Sequence, residues 1–417
     1  MNTVQKPTFR FVLILAMTMA LLPLAVDVYL PAFPDIAKDL NVSVHEIALS
    51  ISFYIFALAC GQLVAGPLSD RFGRQRVMLT GLAIFAVSSL LVAQSSSLTE
   101  LLIFRACQAF GGGWAAVCVP AMVRDRLSGN EAARLFSLIG LIMISAPAIA
   151  PSLGSALLHF FGWTSIFIVL SIYSVIVLIL LKLVIFNVPH KQPPFDPSIN
   201  VWSRYKAVLQ TRPAMRFMLL QGMVFSVMMI FISHASFIYQ GHFGVSANEF
   251  SLLFGANIVL MMVINLINRA LLKHYPPERL LRYSLSLQGV GILLLIVVSV
   301  FSNNLWLFLA AMMITVGSMG AISPNIQAVY MEYFTKHGGT AAALLGATQF
   351  SMAGLLSAAT ALLPESLISI VFAQAACSAI CLLLIFTHHE KPKPQRTQTA
   401  PHTAPHTAPT LPNTEIH

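Results

Sequence analysis

Hydrophobic residues occur in long, nearly uninterrupted runs along this chain, and short groups of charged residues, prolines and glycines separate the runs. Each run approaches the 20 or so apolar residues that a helix needs to cross the hydrocarbon core of a bilayer. The pattern predicts an all-α integral membrane protein. The twelve predicted membrane-spanning helices are residues 11–33, 46–67, 77–95, 98–122, 132–159, 163–186, 214–240, 247–272, 280–301, 304–330, 339–363 and 366–387.

The longest internal polar stretch divides these twelve helices into two sets of six. We expect a first six-helix bundle at 1–187, a cytoplasmic linker at 188–213 and a second bundle at 214–387. Halves of equal span number are typical of transporters whose substrate path runs between two repeats, near the membrane midplane. The tail, 388–417, contains the low-complexity run TAPHTAPHTAP and is predicted to be disordered.

Composition agrees with this architecture, since 57% of the residues are hydrophobic, only 9% are charged, and the mean hydropathy is +0.80. The net charge of +9 arises from 24 lysine and arginine residues. All of them except Lys38 and Arg105 fall on one side of the predicted membrane. By the positive-inside rule that side is cytoplasmic, and both termini lie there. The excess of positive charge is thus explained by the orientation of the protein in the membrane, and no nucleic-acid partner is expected.

The first apolar run follows Lys6 and Arg10, as a secretory signal peptide would. Eleven further runs favour a retained first helix over a cleaved one. The five cysteines all lie in predicted spans and show no spacing typical of a metal site, so we expect neither a metal nor a cofactor.

Two ionisable residues lie inside the predicted spans, Asp27 in the first and Arg105 in the fourth. An aspartate in mid-membrane costs roughly 2.5–3.5 kcal/mol on insertion scales. At 1.5 Å per residue, Asp27 lies about 24 Å from Phe11 and Arg105 about 10 Å from Leu98, which places them at comparable depth. They are expected to pair or to line a wet cavity. Such a pair either fixes helix packing alone or takes up and releases a proton as its surroundings change.

The stretch GQLVAGPLSDRFGRQRVM, residues 61–78, joins the second and third predicted spans. Pro67 is expected to end the span, and glycines on one helical face permit close approach of another helix. The acid and the arginines of the short turn can lock one membrane face closed, or the arginines merely mark the cytoplasmic side. The candidate residues of this conformational lock are Gly61, Gly66, Asp70, Arg71, Gly73 and Arg74.

This stretch resembles the signature G-x-L-a-G-P-x-x-D-R-x-G-R-R of the major facilitator superfamily, from which it departs at Gln75. A second stretch, LLIFRACQAFGGGWAAVCVPAMVRDR, residues 101–126, is similar to the fourth-span motif of the same superfamily. In that motif the arginine, here Arg105, is associated with proton-coupled transport. The resemblance implies two six-helix bundles in the major facilitator fold and a proton-coupling role for Asp27 and Arg105.

A third stretch, GLIMISAPAIAPSLGSALL, residues 140–158, resembles the antiporter motif of the superfamily. The kink that it implies would involve Pro147, Pro151 and Gly154, whereas Ala150 and Ser155 replace two glycines of the motif. An ordinary proline-kinked helix is the alternative interpretation.

Together with D-x-Y-L-P-A-x-P at residues 27–34 and FISHASFIYQGHFGVSANEF at residues 231–250, this stretch resembles the bicyclomycin and chloramphenicol resistance (Bcr/CflA) branch of the drug:proton antiporters. The likeness extends over residues 8–388. It implies a monomer in the bacterial inner membrane that expels small amphipathic or lipophilic drugs in exchange for protons.

Polar residues within the spans supply candidates for a substrate cavity, namely Tyr29, Gln108, Trp114, His234, Tyr239 and Asn257. For His234, a packing role competes with a proton relay. A set of uncharged residues either lines the cavity or joins helices, and it comprises Asn257, Asn265, Gln327, Gln349 and Gln374. The 18 methionines and 28 phenylalanines suit an adaptable pocket, although membrane cores are rich in both.

Other functions remain open at this stage. A proton-linked or passive nutrient importer would have the same fold, and a membrane receptor or scaffold needs only the spans. An enzyme is not expected, because the sequence lacks a serine elbow, an HExxH motif and clustered metal ligands. It also lacks a Walker-type nucleotide-binding loop, so ATP is not expected to drive transport.

Overall fold

The computed structural model describes residues 9–126, 129–187, 201–334 and 338–387 of the chain, and all regular secondary structure within these ranges is helical. Short 3-10 or π segments lie at Leu30–Ala32, Leu181–Ile185, Phe237–His242 and Thr360–Leu362. The α-helices are α1 Phe9–Asp27, α2 Phe33–Asp39, α3 Val44–Phe72, α4 Arg74–Ala93, α5 Leu98–Arg126, α6 Gly129–Phe161, α7 Thr164–Leu180, α8 Val201–Leu209, α9 Arg212–Ser236, α10 Ala247–Leu271, α11 Pro277–Phe301, α12 Leu305–Gly317, α13 Met319–Met331, α14 Gly338–Ala359 and α15 Leu367–Phe386.

The described residues form eleven segments that are long and apolar enough to cross a membrane. Helices α1 and α2 combine into one such segment, Arg10–Asp39, and α12 and α13 combine into another, Leu305–Met331. The 33-residue helix α6 lies between the fourth and fifth segments and supplies the twelfth span. The prediction of an all-helical, twelve-span protein with two six-helix bundles is confirmed.

Short connections make successive spans run in opposite directions, so the molecule has two ends. We call the end with the connections at Gly73 and at 272–276 the basic face, after the arginines and lysines beside them. The other end carries the connections at 94–97 and 302–304, and we call it the opposite face.

The second span of each bundle, α3 and α10, begins at the opposite face with the same helix cap. In α3, the Ser43 Oγ accepts from the Glu46 amide at 3.1 Å and Glu46 Oε2 accepts from the Ser43 amide at 2.8 Å. Ser246 and Glu249 repeat this capping box in α10. Since one helix begins within VSVHE and the other within VSANE, a trace of the internal repeat survives in the sequence. Loop comparison alone does not reveal it.

The two bundles contact each other in the half of the molecule nearer the opposite face. There the Ser52 hydroxyl of α3 lies 3.0 Å from the Ser357 hydroxyl of α14. On the other side of the interface, the Ser251 hydroxyl of α10 donates to the Pro151 carbonyl of α6 at 2.9 Å. The imidazole of His45 stacks on that of His234 with ring centroids 5.0 Å apart. These contacts hold the opposite face closed.

The prediction that Pro67 ends the second span is wrong, because α3 continues through it to Phe72. A proline inside a helix removes one backbone donor, and here it does not stop the helix. The stop comes at Gly73, whose φ of +93° is open to glycine and strained for other residues. Of the predicted linker and tail, 188–200 and 388–417 lie outside the described residues, and α8 occupies part of the remaining linker. The bundle boundaries therefore stay predictions.

Candidate functional site

The first span is interrupted immediately after Asp27. Pro31 has no amide hydrogen to donate to the Asp27 carbonyl four residues earlier. In the same way, Pro34 has none to donate to the Leu30 carbonyl. Helix α1 therefore ends at Asp27, and a turn and a 3-10 segment precede α2. The span predicted at 11–33 did not include this break, although the two prolines indicate one. Discontinuous spans place backbone and side chains at ligand and ion sites in transporters.

Asp27 is buried at this break, and we call its surroundings the Asp27 pocket. Only 3% of the residue is exposed, and no group in the described part of the chain donates to its Oδ1. The neighbouring Val28 carbonyl lies so close to Gly154 of α6 that a Cβ at residue 154 would overlap it. The position of Asp27 is thus fixed by backbone contact with the predicted antiporter motif.

Arg105 is fully buried in α5 and is held by a cage of aromatic rings. Its guanidinium carbon lies 4.3 Å from the ring centroid of Tyr29, 4.3 Å from that of Tyr54 and 5.7 Å from that of Phe167. Nη1 donates to Gln108 Oε1 at 2.5 Å. Cation–π contacts of this kind contribute up to about 2 kcal/mol each when water is excluded.

Two hydrogen bonds hold the cage itself in place. The Tyr29 hydroxyl shares a hydrogen bond of 2.8 Å with the Ser50 hydroxyl. The Gln108 Nε2 donates to Ser89 Oγ at 2.7 Å, which anchors the amide that accepts from Arg105. In this structure Tyr29 and Gln108 hold Arg105, and their predicted place in a substrate cavity stays a prediction.

The expected direct pair of Asp27 and Arg105 is not formed in this structure. Within the described residues, Asp27 Oδ1 and the Nε and Nη2 of Arg105 have no hydrogen-bond partner. The reason is the cage, which turns the guanidinium towards Gln108. The ring of Tyr54 lies 4.3 Å from the guanidinium carbon of Arg105 and belongs to the same buried group. Tyr54 was not among the residues predicted for the site, and its hydroxyl also has no partner in the described part of the protein.

Both prolines of the predicted antiporter motif lie inside α6, and both are buried. The Pro151 carbonyl accepts from Ser251, and the adjacent Ser155 hydroxyl donates to Asn248 Oδ1 at 2.6 Å. One face of α6 therefore contacts the second bundle, while Gly154 contacts the break in the first span. The motif connects the Asp27 pocket to the interface between the bundles.

The predicted lock around Gly73 is present only in part. Gly61 approaches the Phe110 backbone of α5 so closely that no Cβ fits, whereas a Cβ at Gly66 would meet nothing within 4 Å. The close approach expected at Gly66 is therefore not formed among the described residues in this structure. Arg74 Nη1 donates to Ser69 Oγ. Arg71 is exposed beside the Phe72 ring, and the side chain of Asp70 lies outside the described residues.

The other predicted cavity residues are engaged in packing. His234 Nε2 bonds the Thr360 hydroxyl at 2.7 Å, which favours the packing role for this residue. Tyr239 is buried among aromatic rings, and Asn257 Nδ2 donates to the Leu253 carbonyl of its own helix at 2.8 Å. Trp114 packs on Phe110 with ring centroids 5.7 Å apart. None of the six candidates lines the cavity described next.

A cavity of about 490 Å³ lies in the second bundle, in the half nearer the basic face. We call it the carboxamide cavity after its polar side chains. The polar residue Gln374 does not line this cavity, because it donates to the Val227 carbonyl and joins α15 to α9. The cavity is lined by Gln221, Phe225, Met228, Met261, Asn265, Met319, Gly320, Ser323, Pro324, Gln327, Ala342, Leu345, Gly346 and Gln349.

Two hydrogen bonds shape the polar wall of the carboxamide cavity. Pro324 leaves the Gly320 carbonyl without a helical donor, and Asn265 Nδ2 supplies one at 2.8 Å. Gln221 Nε2 donates to Gln349 Oε1, also at 2.8 Å. Asn265 thus both joins α10 to α13 and lines the cavity. Gln221 was not singled out in the sequence. Among the described residues, no three His, Cys, Asp or Glu side chains converge as metal ligands would.

Comparison with known proteins gives a consistent match. The family model described as Major Facilitator Superfamily matches residues 15–358. A bicyclomycin resistance protein homolog of Haemophilus influenzae is 28% identical over 92% of this chain and 96% of its own length. The multidrug resistance protein MdtL of Salmonella paratyphi A is 27% identical over 91% of this chain and 95% of its own. A solved D-xylose-proton symporter shares the fold, with a TM-score of 0.72 and 15% identity over 91% of this chain and 98% of its own.

Proposed function

The chain belongs to the major facilitator superfamily, and from this we propose that it is a secondary active exporter of small amphipathic or lipophilic drugs in exchange for protons. The relatives support transport rather than enzymatic activity, since they are named for bicyclomycin resistance and multidrug resistance. Drug export and proton exchange in this protein are the proposal.

The observation that carries the proposal is the environment of Asp27. It is a buried carboxyl group at a helix break, beside a caged arginine and against the motif that contacts the second bundle, and no described residue donates to its Oδ1. An ionised carboxylate buried without a partner costs several kcal/mol. We therefore assign a proton to Asp27 in this conformation.

The cycle that follows is alternating access about the two bundles. In the present conformation the opposite face is closed, and the carboxamide cavity lies near the basic face. Reversal of these contacts would release the substrate at the opposite face and change the surroundings of Asp27. When Arg105 leaves its aromatic cage it can pair with Asp27, which favours the charged carboxylate. Binding of drug and release of the proton are then coupled, and the coupling must act in both directions.

The lipid bilayer surrounds this multi-pass membrane protein. In the proposal it is a monomer of the bacterial inner membrane with both termini in the cytoplasm, so that the basic face is cytoplasmic. Its partners are protons and small-molecule drugs, without nucleic acid and without a cofactor. The conformational lock of Gly61, Gly66, Asp70, Arg71, Gly73 and Arg74 is proposed to close the basic face in the other half of the cycle.

The direction of transport tests this function. A drug-susceptibility panel in a host lacking its own pumps, with and without a protonophore, identifies a substrate. Everted vesicles given an inwardly acidic gradient should then accumulate that drug, and adding the drug should release protons. Accumulation that persists in the presence of the protonophore would exclude proton-driven export. Transport of the drug in the importing direction would exclude it as well.

A further inference from the structure

A pair of histidines joins the two bundles at the closed opposite face. His45 lies in the first turn of α3, and His234 lies near the end of α9. Their rings stack with centroids 5.0 Å apart and planes 23° from parallel, and the two residues are only 7% and 1% exposed. The proton exchange proposed for Asp27 uses neither of these titratable groups.

The hydrogen bonds around His234 determine its neutral form. The Thr360 hydroxyl donates its only hydrogen to the Ser357 carbonyl at 2.5 Å, so it accepts from His234 Nε2, 2.7 Å away. The proton of the neutral ring is therefore on Nε2, and Nδ1 has no partner among the described residues. A second proton, on Nδ1, would leave a charged ring buried with an unpaired N–H group, which is costly.

His45 is buried with even less compensation. Neither of its ring nitrogens has a hydrogen-bond partner in the described part of the chain. A phenylalanine would fill the same place and stack on His234 without leaving two polar atoms unpaired, so packing alone does not account for a histidine here. The property that distinguishes histidine is that it takes up a proton near pH 6.5 when water reaches it.

Among the described residues, no carboxylate bonds either ring of the pair. Helices α13, α14 and α15 carry no charged residue, and Glu100 of α5 accepts from the Ser96 amide. Tyr54, which contacts Arg105, lies nine residues from His45, or about 13 Å along α3. Tyrosine and cysteine side chains ordinarily stay neutral up to about pH 8. The other charged or titratable residues near the opposite face on elements around the pair are exposed, and they are Asp35, Lys38, Asp39, Glu46, His242, Glu249 and Glu365.

We propose that His45 and His234 form a second proton-binding site, which holds the opposite face closed while both rings are neutral and opens it when either ring takes up a proton. Stacked neutral rings attract each other. A charged ring in this buried interface lacks both hydration and a counter-charge, and two charged rings repel each other.

The site couples external acidity to the conformation of the protein. Water reaches the rings only when the bundles part at the opposite face, so the open state binds more protons than the closed state. Lowering the pH on the side to which this face opens therefore favours the open state, and closure expels the protons. This inference rests on the alternating access of the proposed function, and it adds a proton site in the interface to the one at Asp27.

Distance measurements between spin labels test the inference. The labels are placed at the opposite face on the exposed residues Gln94 and Pro364, one in each bundle, in a protein without the native cysteines reconstituted in lipid nanodiscs. Asp27→Asn is included because it removes the other proposed proton site. In double electron–electron resonance, the ratio of open to closed molecules should rise by about thirtyfold or more between pH 8 and pH 5, the effect of one proton bound near pH 6.5 in the open state alone. A ratio that is independent of pH would overturn the inference.

Two substitutions locate the protons. His45→Phe keeps a ring that can stack, and His234→Gln keeps a nitrogen that can donate to Thr360, but neither new side chain titrates. The protein with both substitutions should show the same distance distribution at pH 8 and at pH 5. The matched control is His242→Gln, which removes an exposed histidine of the same face whose Nε2 lies 2.8 Å from Asn303 Oδ1. It should respond to pH as the parent does.

The outcomes separate this inference from the export proposal. A double variant that unfolds at the temperature of the parent and still opens at low pH would place the protons elsewhere and overturn the inference, while vesicle transport would still report export. If the double variant does not fold, His45→Phe alone decides, since it should respond less to pH than the parent, and an unchanged response would overturn the inference. Loss of the response with the control intact supports the site even in a protein that exports no drug.

Discussion

Gly154 of α6 lies directly against the Val28 carbonyl, one residue beyond Asp27. The contact joins α6, the helix of the predicted antiporter motif, to the break in the first span. Because Pro151 and Ser155 of the same helix contact α10 of the second bundle, a movement between the bundles is transmitted to the backbone beside the buried carboxyl group. This connection gives the motif a mechanical role in the proposed proton exchange.

Gly154→Ala should destabilise the protein and abolish transport. In a helix, alanine is ordinarily favoured over glycine by about 1 kcal/mol. Here the added methyl group would overlap the Val28 carbonyl and push α1 and α6 apart. Thermal unfolding in detergent and drug efflux measure the two effects.

The matched control is Gly66→Ala, where the same substitution meets open space. It should leave the unfolding temperature unchanged or raise it slightly. A Gly154→Ala protein as stable and active as the parent would show that the contact has no mechanical role.

Arg105→Ala should abolish proton-driven efflux, because it removes the only charge that the proposed cycle offers to Asp27 and leaves a hole among aromatic rings. Arg105→Lys should retain part of the activity. Lysine keeps the charge but loses the planar group that stacks on two rings and donates to Gln108. Transport in proteoliposomes under an imposed pH gradient should therefore be fastest for the parent, slower for the Lys variant and absent for the Ala variant. Full activity of the Ala variant would refute the role given to Arg105.

Substitutions of Tyr54 distinguish the contribution of its ring from that of its hydroxyl in the arginine cage. The hydroxyl has no partner among the described residues, whereas the ring lies 4.3 Å from the guanidinium. Tyr54→Phe should therefore keep turnover within about twofold of the parent, and Tyr54→Leu should lower it by about tenfold, the equivalent of one desolvated cation–π contact. If Phe is as damaging as Leu, the hydroxyl is the functional group and the cage is secondary.

Ser52 and Ser357 offer a test of the movement between the bundles. Their hydroxyls are 3.0 Å apart across the closed opposite face. In a background without the native cysteines, Ser52→Cys combined with Ser357→Cys should form a disulfide under oxidation and stop transport. A reductant should restore transport, and neither single variant should respond. Undiminished transport by the oxidised double variant would contradict alternating access at this interface.

The spans were predictable because length and hydropathy determine which segments cross a bilayer. The break after Asp27 was predictable as well, from Pro31 and Pro34. The contacts that form the site were not predictable from the sequence. Arg105 meets Tyr54 and Phe167 only after three helices have packed. The Gly154 contact depends on how α6 packs against the first span, which a proline pattern does not specify. Gln349 and Gln374 both occur as single polar residues within apolar runs, so the sequence does not distinguish them. Only the packed structure shows that Gln349 lines a cavity and that Gln374 joins two helices.

Replacement of Asp27 by asparagine tests the central claim most directly. The amide has the shape of the protonated carboxyl group but cannot release a proton. Proteoliposomes containing the Asp27→Asn protein should bind the drug and exchange it across the membrane down its own gradient, yet fail to accumulate it when a pH gradient is imposed. Uphill accumulation by this variant at the rate of the parent would contradict the account.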